Sequence, residues 1–310
     1  MLFAFRGFMV ALGFFGVVYC LLSVLVVGVW RCARPLCRNS AVAAARLLFG
    51  LRIFPLVGSA FITLAFALPA FFLLEGGMDE DIGTLLFSAG TLLLLAAGFV
   101  RILSAQKGAL HVVAAWLKGA HALEAGAAVP ILRANHGAPP LLLYGISTPQ
   151  VLVSEAAVSL LSPEELRVAV RHEMGHLRSR DNLKKLILYG APFPGMGSLE
   201  RAWQEAAEFA ADEAAVTNSA DAVDLAAALI KLCELVPVQA QPAFTTGLVD
   251  ITALIDVRVR RLLAWNENSS RFVRLRWWFL PAVLVTLPYT AVHYSHALMF
   301  THQLTEWFIH

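Results

Sequence analysis

The stretch that decides the fold of the polar half of the chain is SPEELRVAVRHEMGHLRSRD, residues 162–181. Ser162 and Glu165 have the spacing of a capping box, and Pro163 stands at the first helical position, where its missing N–H costs nothing. Apolar residues then recur at helical spacing, at Leu166, Val170, Met174 and Leu177. The stretch therefore predicts a helix that buries one stripe and ends near Arg180.

This helix carries the pattern His172-Glu173-Met174-Gly175-His176. Residues four apart lie on the same helix face, so both imidazoles can point at one Zn²⁺, with N–Zn distances of about 2.0–2.1 Å. Glu173 lies one step round the helix, where its carboxylate can take a proton from a water at the open metal position. The alternative is a surface helix with two solvated histidines, which the position in mid-helix after a full capping box disfavours.

Two histidines leave a catalytic zinc site one protein ligand short. The next predicted helix carries Glu205, Glu208 and Asp212 on one face. We predict Glu208 as the third ligand and Asp212 as the acceptor of a hydrogen bond from the other ring nitrogen of His172, which would orient that ligand. Glu205 competes for the ligand role, but only Glu208 has an acid four residues later. A solvated acidic helix face is the simpler alternative for the three acids.

The composition indicates the class of protein to which these helices belong. Apolar residues make up 58% of the 310 residues and charged residues 15%, whereas a soluble domain has about a quarter charged residues. An integral membrane protein is therefore expected, and intrinsic disorder is excluded. A net charge of +2 gives no reason to expect a nucleic-acid partner. We predict four membrane-spanning helices at residues 8–30, 54–74, 84–100 and 277–299.

The predicted orientation follows from the charges between the spans. The first connection is basic, with Arg31, Arg34, Arg38, Arg46 and Arg52, and the second is acidic, with Glu75, Asp79, Glu80 and Asp81. Basic connections stay in the cytoplasm. We therefore predict a multi-pass protein of the inner (plasma) membrane, in contact with the lipid bilayer, with both termini outside.

This organisation divides the chain into a three-helix membrane region (1–104), a cytoplasmic metal-binding domain (105–272) and a fourth membrane helix with a short tail (273–310). Within the second part we predict a helix over residues 109–123 and a small antiparallel sheet from short strands at 129–133, 141–144 and 151–153. An edge of that sheet, at 151–153, is the expected place for an extended peptide to pair.

The combination of His172-Glu173-x-x-His176 with Glu208-x-x-Ala211-Asp212 resembles the gluzincin metallopeptidases. With the membrane layout, the chain is similar over roughly residues 1–300 to the BlaR/MecR-type antibiotic-sensor metallopeptidases. Further shared motifs are Gly145-x-x-x-Pro149, the helix opening at Ser162 and His176-Leu-Arg-Ser-Arg-Asp181. The CAAX-prenyl-protease/HtpX group shares both zinc motifs. The BlaR/MecR type carries a penicillin-binding sensor after its fourth helix, and this chain ends at His310, so we do not expect sensing by acylation.

The resemblance implies a polytopic α-helical membrane protein with a cytoplasmic α+β gluzincin domain and one Zn²⁺ per chain. Its implied function is a zinc endopeptidase in regulated or signalling proteolysis, acting on a polypeptide such as a transcriptional repressor or a membrane protein. Alternatives are an HtpX-type quality-control protease and a non-catalytic zinc scaffold. Arg258 resembles a residue of a motif near the active site of membrane gluzincins and is a candidate for oxyanion or substrate binding. The simpler interpretation is that Arg258, Arg260 and Arg261 form a solvated or phospholipid-facing basic patch. Asp181 either braces His176 or caps its helix.

Overall fold

The computed structural model describes residues 2–33, 40–74, 82–124, 129–134, 138–235, 246–247, 254–266 and 294–309. Its helices are α1 (Leu2–Ala33), α2 (Ala41–Ile62), a π-helical turn (Thr63–Ala67), α3 (Leu68–Leu74), α4 (Ile82–Leu117), α5 (Glu155–Leu160), α6 (Pro163–Ser179), α7 (Asp181–Gly190), α8 (Gly197–Ala215), α9 (Ser219–Cys233), α10 (Ile255–Leu263) and α11 (Tyr294–Ile309). Its strands are β1 (His121–Glu124), β2 (Ile131–Ala134), β3 (Leu141–Tyr144), β4 (Gln150–Ser154) and β5 (Thr246–Gly247).

Three helical segments are long and apolar enough to cross a membrane: Ala4–Arg31, Ala41–Leu74 and Leu85–Leu117. They overlap the first three predicted spans, but the second begins already at residue 41 and the third continues to residue 117. Their outward sides expose large apolar residues, which suits lipid contact and would be costly in water, among them Leu21, Leu25, Phe61, Leu93 and Phe99. The fourth predicted span, 277–299, lies outside the described residues up to 293, and its last part belongs to α11.

Small residues allow α1 and α4 to pack closely. The Ser88 hydroxyl of α4 donates to the Met9 carbonyl of α1 at 2.6 Å, and Gly16 of α1 faces Thr91 of α4. Contacts advance in the same direction along both helices, from Met9 with Ser88 to Gly16 with Thr91, so α1 and α4 run parallel. Close packing of small residues is a main source of helix association in lipid.

Two helical predictions are corrected by the structure. Arg46 and Arg52 belong to α2 and not to a connecting loop. The helix predicted over residues 109–123 is the last part of α4, which continues from the membrane segment to Leu117, while His121 already starts β1. Arg101, Gln106 and Lys107 end the apolar run but are good helix formers, so the polar change does not interrupt the helix.

The sheet has the strand order β1-β2-β4-β3-β5. The predicted antiparallel arrangement is right for β3 with β4 but wrong for β2 with β4, which pair in parallel from Ile131 with Val151 onward. The prediction that residues 151–153 form an edge is also wrong, because β4 is hydrogen-bonded on both sides. Val151, Leu152 and Val153 are all 0% exposed, and this unbroken apolar run is typical of a central strand.

The sheet is covered on both faces. On one face, Leu141, Leu143 and Val151 pack against α6 and α9 in a core that includes Val168 and Leu225. On the other face, Leu142, Leu152 and Ala134 pack against Trp116 and Leu117 at the end of α4. The membrane helix therefore runs directly into the layer that supports the sheet, and α6 lies on the opposite side.

The α1–α4 contact gives a prediction about packing. A Cβ at Gly16 would lie 1.8 Å from Thr91 Oγ1 and 3.0 Å from Thr91 Cβ, so rotation of the threonine does not relieve the clash. We expect Gly16→Ala to lower the free energy of unfolding by about 1–3 kcal/mol, the usual cost of overpacking. Thermal melts in detergent measure this change.

Gly28→Ala is the matched control, because Gly28 lies on the same helix with nothing within 4 Å of its added Cβ. Equal melting temperatures for Gly16→Ala and Gly28→Ala would contradict the α1–α4 contact.

Candidate metal centre

Helix α6 begins as its sequence predicts. The Ser162 hydroxyl accepts a hydrogen bond from the Glu165 amide at 3.2 Å, and the Glu165 carboxylate accepts one from the Ser162 amide at 2.8 Å. Lys231 Nζ of α9 lies 2.8 Å from both carboxylate oxygens of Glu165. The capping box therefore fixes where α6 starts and also ties α6 to α9.

Helices α6 and α8 lie close together where the two sequence motifs meet. A Cβ at Gly175 would lie 3.1 Å from Ala211 Cα and 3.3 Å from Ala211 Cβ. Gly175 stands between the two histidines, and Ala211 stands between Glu208 and Asp212. Since both residues are small, the two backbones can come close enough for Glu208 to reach both imidazoles.

Three side chains converge from these helices. His172 Nε2 and His176 Nε2 lie 3.2 Å apart. Glu208 Oε2 lies 3.5 Å from His172 Nε2, and Glu208 Oε1 lies 3.4 Å from His176 Nε2. A tetrahedral Zn²⁺ with bonds of about 2.0–2.1 Å separates its ligand atoms by about 3.3–3.5 Å. Glu208 approaches the two imidazoles with different oxygens, and each of these distances is close to the separation that one such ion requires. Taking one ligand atom from each residue, His172, His176 and Glu208 form a buried group whose atoms lie within 4.8 Å of one another and that could hold a metal.

A carboxylate lies close to the other ring nitrogen of each histidine, and for His176 it forms a hydrogen bond. Asp212 Oδ1 lies 2.9 Å from His172 Nδ1, and Asp181 Oδ2 lies 2.8 Å from His176 Nδ1. Arg180 has a left-handed backbone with φ of 54°, which ends α6 and turns the chain so that Asp181 faces back to His176. Both Nε2 atoms are thereby left to face Glu208, as metal-binding imidazoles require.

Arg258 of α10 lies inside the cluster. Its side chain is 1% exposed, so the structure contradicts the solvated-patch interpretation for this residue. Its guanidinium contacts both oxygens of Asp212, at 2.8 and 2.6 Å, and Nη1 lies 3.0 Å from Glu208 Oε2. Arg260 and Arg261, which the same interpretation included, are exposed. Arg258 thus binds the acids of α8 in a geometry that holds them in place.

The charges of the cluster favour a cation. Burial alone would raise the pKa of Glu208, but His176 and Arg258 hold that pKa well below its ordinary value. The pKa of Asp212 is lowered in the same way, chiefly by Arg258. Burial would lower the pKa of His176, and the carboxylates of Glu208 and Asp181 raise it to about 10. The buried carboxylates of Glu208 and Asp212 share the single positive charge of Arg258. Protons and a metal ion therefore compete for the negative charge that Arg258 leaves uncompensated.

Glu173 and Glu205 are placed differently. Glu173 is 0% exposed and contributes its charge to the raised pKa of Arg258, so it lies within the same cluster. Glu205 lies one turn before Glu208 and is partly exposed. It does not belong to the group of ligand atoms that converge among the described residues.

Gly175 and Lys184 contribute to the site although neither is part of a recognised pattern. Lys184 Nζ lies 2.8 Å from Asp181 Oδ1 and compensates the charge of that buried carboxylate. For Gly175 there is a signal in the sequence, because a glycine in a helix interior costs about 1 kcal/mol and indicates a packing reason. The sequence gives no such signal for Lys184 of α7.

The chain matches no known protein-family model, and no curated protein is significantly similar to it. The interpretation of the site therefore depends on its geometry and its chemistry.

The choice between Glu208 and Glu205 can be tested directly. We expect the wild-type protein to bind one divalent metal ion per chain, and Glu208→Ala to lose it because one of three converging ligands is removed. Glu205→Ala, the same change on the same helix, should keep its metal. Metal analysis of the purified proteins measures both contents, and loss of metal from Glu205→Ala alone would show that the ligand assignment is wrong.

Proposed function

We propose that the chain is a membrane-embedded, zinc-dependent endopeptidase that hydrolyses peptide bonds on the cytoplasmic side of the inner membrane. The observation that carries this proposal is the buried group of His172, His176 and Glu208, whose ligand atoms lie within 4.8 Å of one another. Two imidazoles and one carboxylate, at separations close to those around a tetrahedral ion, form a ligand set that favours Zn²⁺. Three protein ligands leave the fourth position open, which is typical of catalytic sites, whereas structural zinc sites are usually closed by four.

Zn²⁺, when bound, supplies a Lewis acid that polarises a carbonyl and makes a water more acidic. The side chains of the protein supply the general base and the groups that hold the metal ligands in position. Glu173 is the proposed general base, which takes the proton of the attacking water and delivers it to the leaving amine. Asp212 and Asp181 hold the two imidazoles by Nδ1. Arg258 forms ion pairs with Asp212 and Glu208, so its proposed role is to hold these carboxylates in place. Its positive charge would also stabilise the negative charge that develops on the substrate carbonyl.

The proposed substrate is a polypeptide, either a regulatory protein such as a repressor or a membrane protein. The non-catalytic scaffold is the alternative, and Glu173 distinguishes it from the enzyme. A scaffold needs the metal ligands but has no use for a buried carboxylate beside them that does not bind the metal.

Glu173→Gln provides the decisive test of the enzyme. The amide keeps the shape of the side chain but cannot accept the proton, and general-base assistance is commonly worth about 10²–10⁴ in rate. We expect a folded, zinc-loaded protein whose cleavage of casein or of a membrane-protein substrate falls by that factor. Metal analysis and the cleavage assay are made on the same preparation.

Glu164→Gln is the matched control for this variant, because Glu164 is exposed on the same helix. It should retain both zinc and activity. Loss of zinc from Glu173→Gln would assign Glu173 a structural role. A wild-type protein that binds zinc but is no more active than Glu173→Gln would leave the scaffold as the better interpretation.

The orientation in the membrane is part of the proposal. Helix α8 packs against Val26 and Trp30 near the end of α1 and against Leu48 near the start of α2. The metal centre therefore lies on the side of the three helices where α1 ends and α2 begins, and the sequence between these two ends is basic. By the positive-inside rule that side is the cytoplasm.

A single cysteine tests this orientation. Ser159→Cys, at an exposed position, should resist an impermeant thiol reagent in intact cells and react after permeabilisation, in a background without the native cysteines. Gly77→Cys, in the acidic connection predicted to face outward, should react in both conditions. Labelling of Ser159→Cys in intact cells would reverse the orientation.

A further inference from the structure

Arg52 makes a polar link between α2 and the start of α8. This residue lies on α2, within a segment that is apolar enough to cross a membrane, and its side chain is 1% exposed. Its Nε lies 2.8 Å from Glu200 Oε1, and its Nη2 donates to the Ala191 carbonyl at 2.5 Å. A guanidinium in such a position is costly unless it is paired, so it marks a functional or a strongly constrained position.

The two partners of Arg52 lie on either side of the start of α8, which begins at Gly197. Two further hydrogen bonds from α1 hold the same segment. The Tyr19 hydroxyl donates to the Pro192 carbonyl at 3.3 Å, and Trp30 Nε1 donates to Ser198 Oγ at 3.2 Å. The entry to α8 is therefore fixed to the membrane helices by directional bonds in addition to apolar packing.

Helix α8 carries this constraint to the metal ligands. Glu200 and Glu208 are eight residues apart on one continuous helix, about 12 Å along its axis. Between them, Trp203 is 1% exposed and packs in the same core as Val26 and Leu48 of the membrane helices. The half of α8 that precedes Glu208 thus lies on α1 and α2, and the half that carries Glu208 and Asp212 lies on α6.

We propose that Arg52 is a positioning residue for the metal centre: by fixing the start of α8 to α2, it sets where the Glu208 carboxylate lies relative to the imidazoles of α6. The inference depends on the proposed metal site but not on peptidase activity. Because ligand positions matter to tenths of an ångström at a tetrahedral ion, a small shift of α8 weakens metal binding. Coupling is reciprocal, so metal binding must also strengthen the contact between α2 and α8.

The test compares Arg52→Lys with Arg46→Lys in the full chain, in detergent. Lysine keeps the charge and the long apolar stem but lacks the planar fork that lets Arg52 bind Glu200 and Ala191 together. Arg46 lies on the same helix and is exposed, so it is the matched control. Competition with a chelator gives the Kd for Zn²⁺. Partners outside the ligand set commonly change metal affinity about 10–100-fold, and for this more remote residue we expect an increase in Kd of about 3–30-fold.

A second pair tests the other partner in the same way. Glu200→Gln removes the charge that Arg52 binds, and Glu205→Gln is the same change one turn and a half further along α8 at a partly exposed position. We expect the first to raise the Kd at least threefold and the second to leave it within twofold. Because Glu200→Gln keeps a hydrogen-bond acceptor, it serves as the test if Arg52→Lys does not fold.

Two readouts separate positioning from a merely structural role. A structural role lowers the Tm of the metal-free and metal-loaded protein equally, so the rise in Tm on adding Zn²⁺ stays as in the wild type. A positioning role makes that rise smaller, because it reports the affinity. In addition, Zn²⁺ should slow hydrogen exchange of amides in residues 191–200 of the wild type more than in Arg52→Lys.

The outcomes are distinct. A Kd within threefold of the wild type for both Arg52→Lys and Glu200→Gln, with an unchanged metal-induced rise in Tm, overturns the inference. A wild type that binds no Zn²⁺ contradicts this inference and the proposed function together. A zinc-loaded wild type that cleaves nothing contradicts only the peptidase, because affinity, Tm and hydrogen exchange are measured without substrate.

Discussion

The site depends on one steric constraint, the close contact of α6 and α8 at Gly175 and Ala211, where an added Cβ would stand 3.1 Å from the neighbouring backbone. Each helix alone carries half of the ligand set. Only when the two backbones come this close does a carboxylate as short as that of Glu208 reach both imidazoles. The capping box at Ser162, the left-handed Arg180 and the ion pairs of Arg258 all serve to keep this contact in register.

The same contact explains why so many charges can be buried together. Carboxylates, imidazoles and a guanidinium are expensive to remove from water, and they are tolerated when each has a partner in good geometry. Arg258 binds both oxygens of Asp212, and Asp212 in turn orients His172. The chain of partners leads from α10 through α8 to α6, so three helices that are separate in sequence act as one electrostatic unit. An arginine on α10 is thereby as important to this unit as the residues of the motifs.

Local patterns predicted the site better than they predicted the topology around it. The capping box and the histidine pair follow from spacing along a single helix, and the structure has both of them. Asp212, on the next helix, lies 2.9 Å from His172 Nδ1, close to the position that the spacing of the acids on α8 suggests. Strand pairing is not local, because Val151 finds Ile131 and Leu143 through the packing of the whole sheet. The burial of Arg258 and Arg52 could not be predicted either, since an arginine has the same local sequence whether its side chain faces solvent or an acid on a distant helix.

The length of helix α4 has a consequence for the distance between the sheet and a bilayer. Its 36 residues extend about 54 Å, which is roughly 24 Å more than the thickness of a bilayer core, about 30 Å. Trp116 and Leu117, at its end, form part of the layer beneath the sheet. A helix of this length can cross such a layer and still hold the sheet beyond it. For the proposed membrane-protein substrate, at about 3.3 Å per extended residue, this difference corresponds to about seven residues between the substrate's own membrane segment and the sheet.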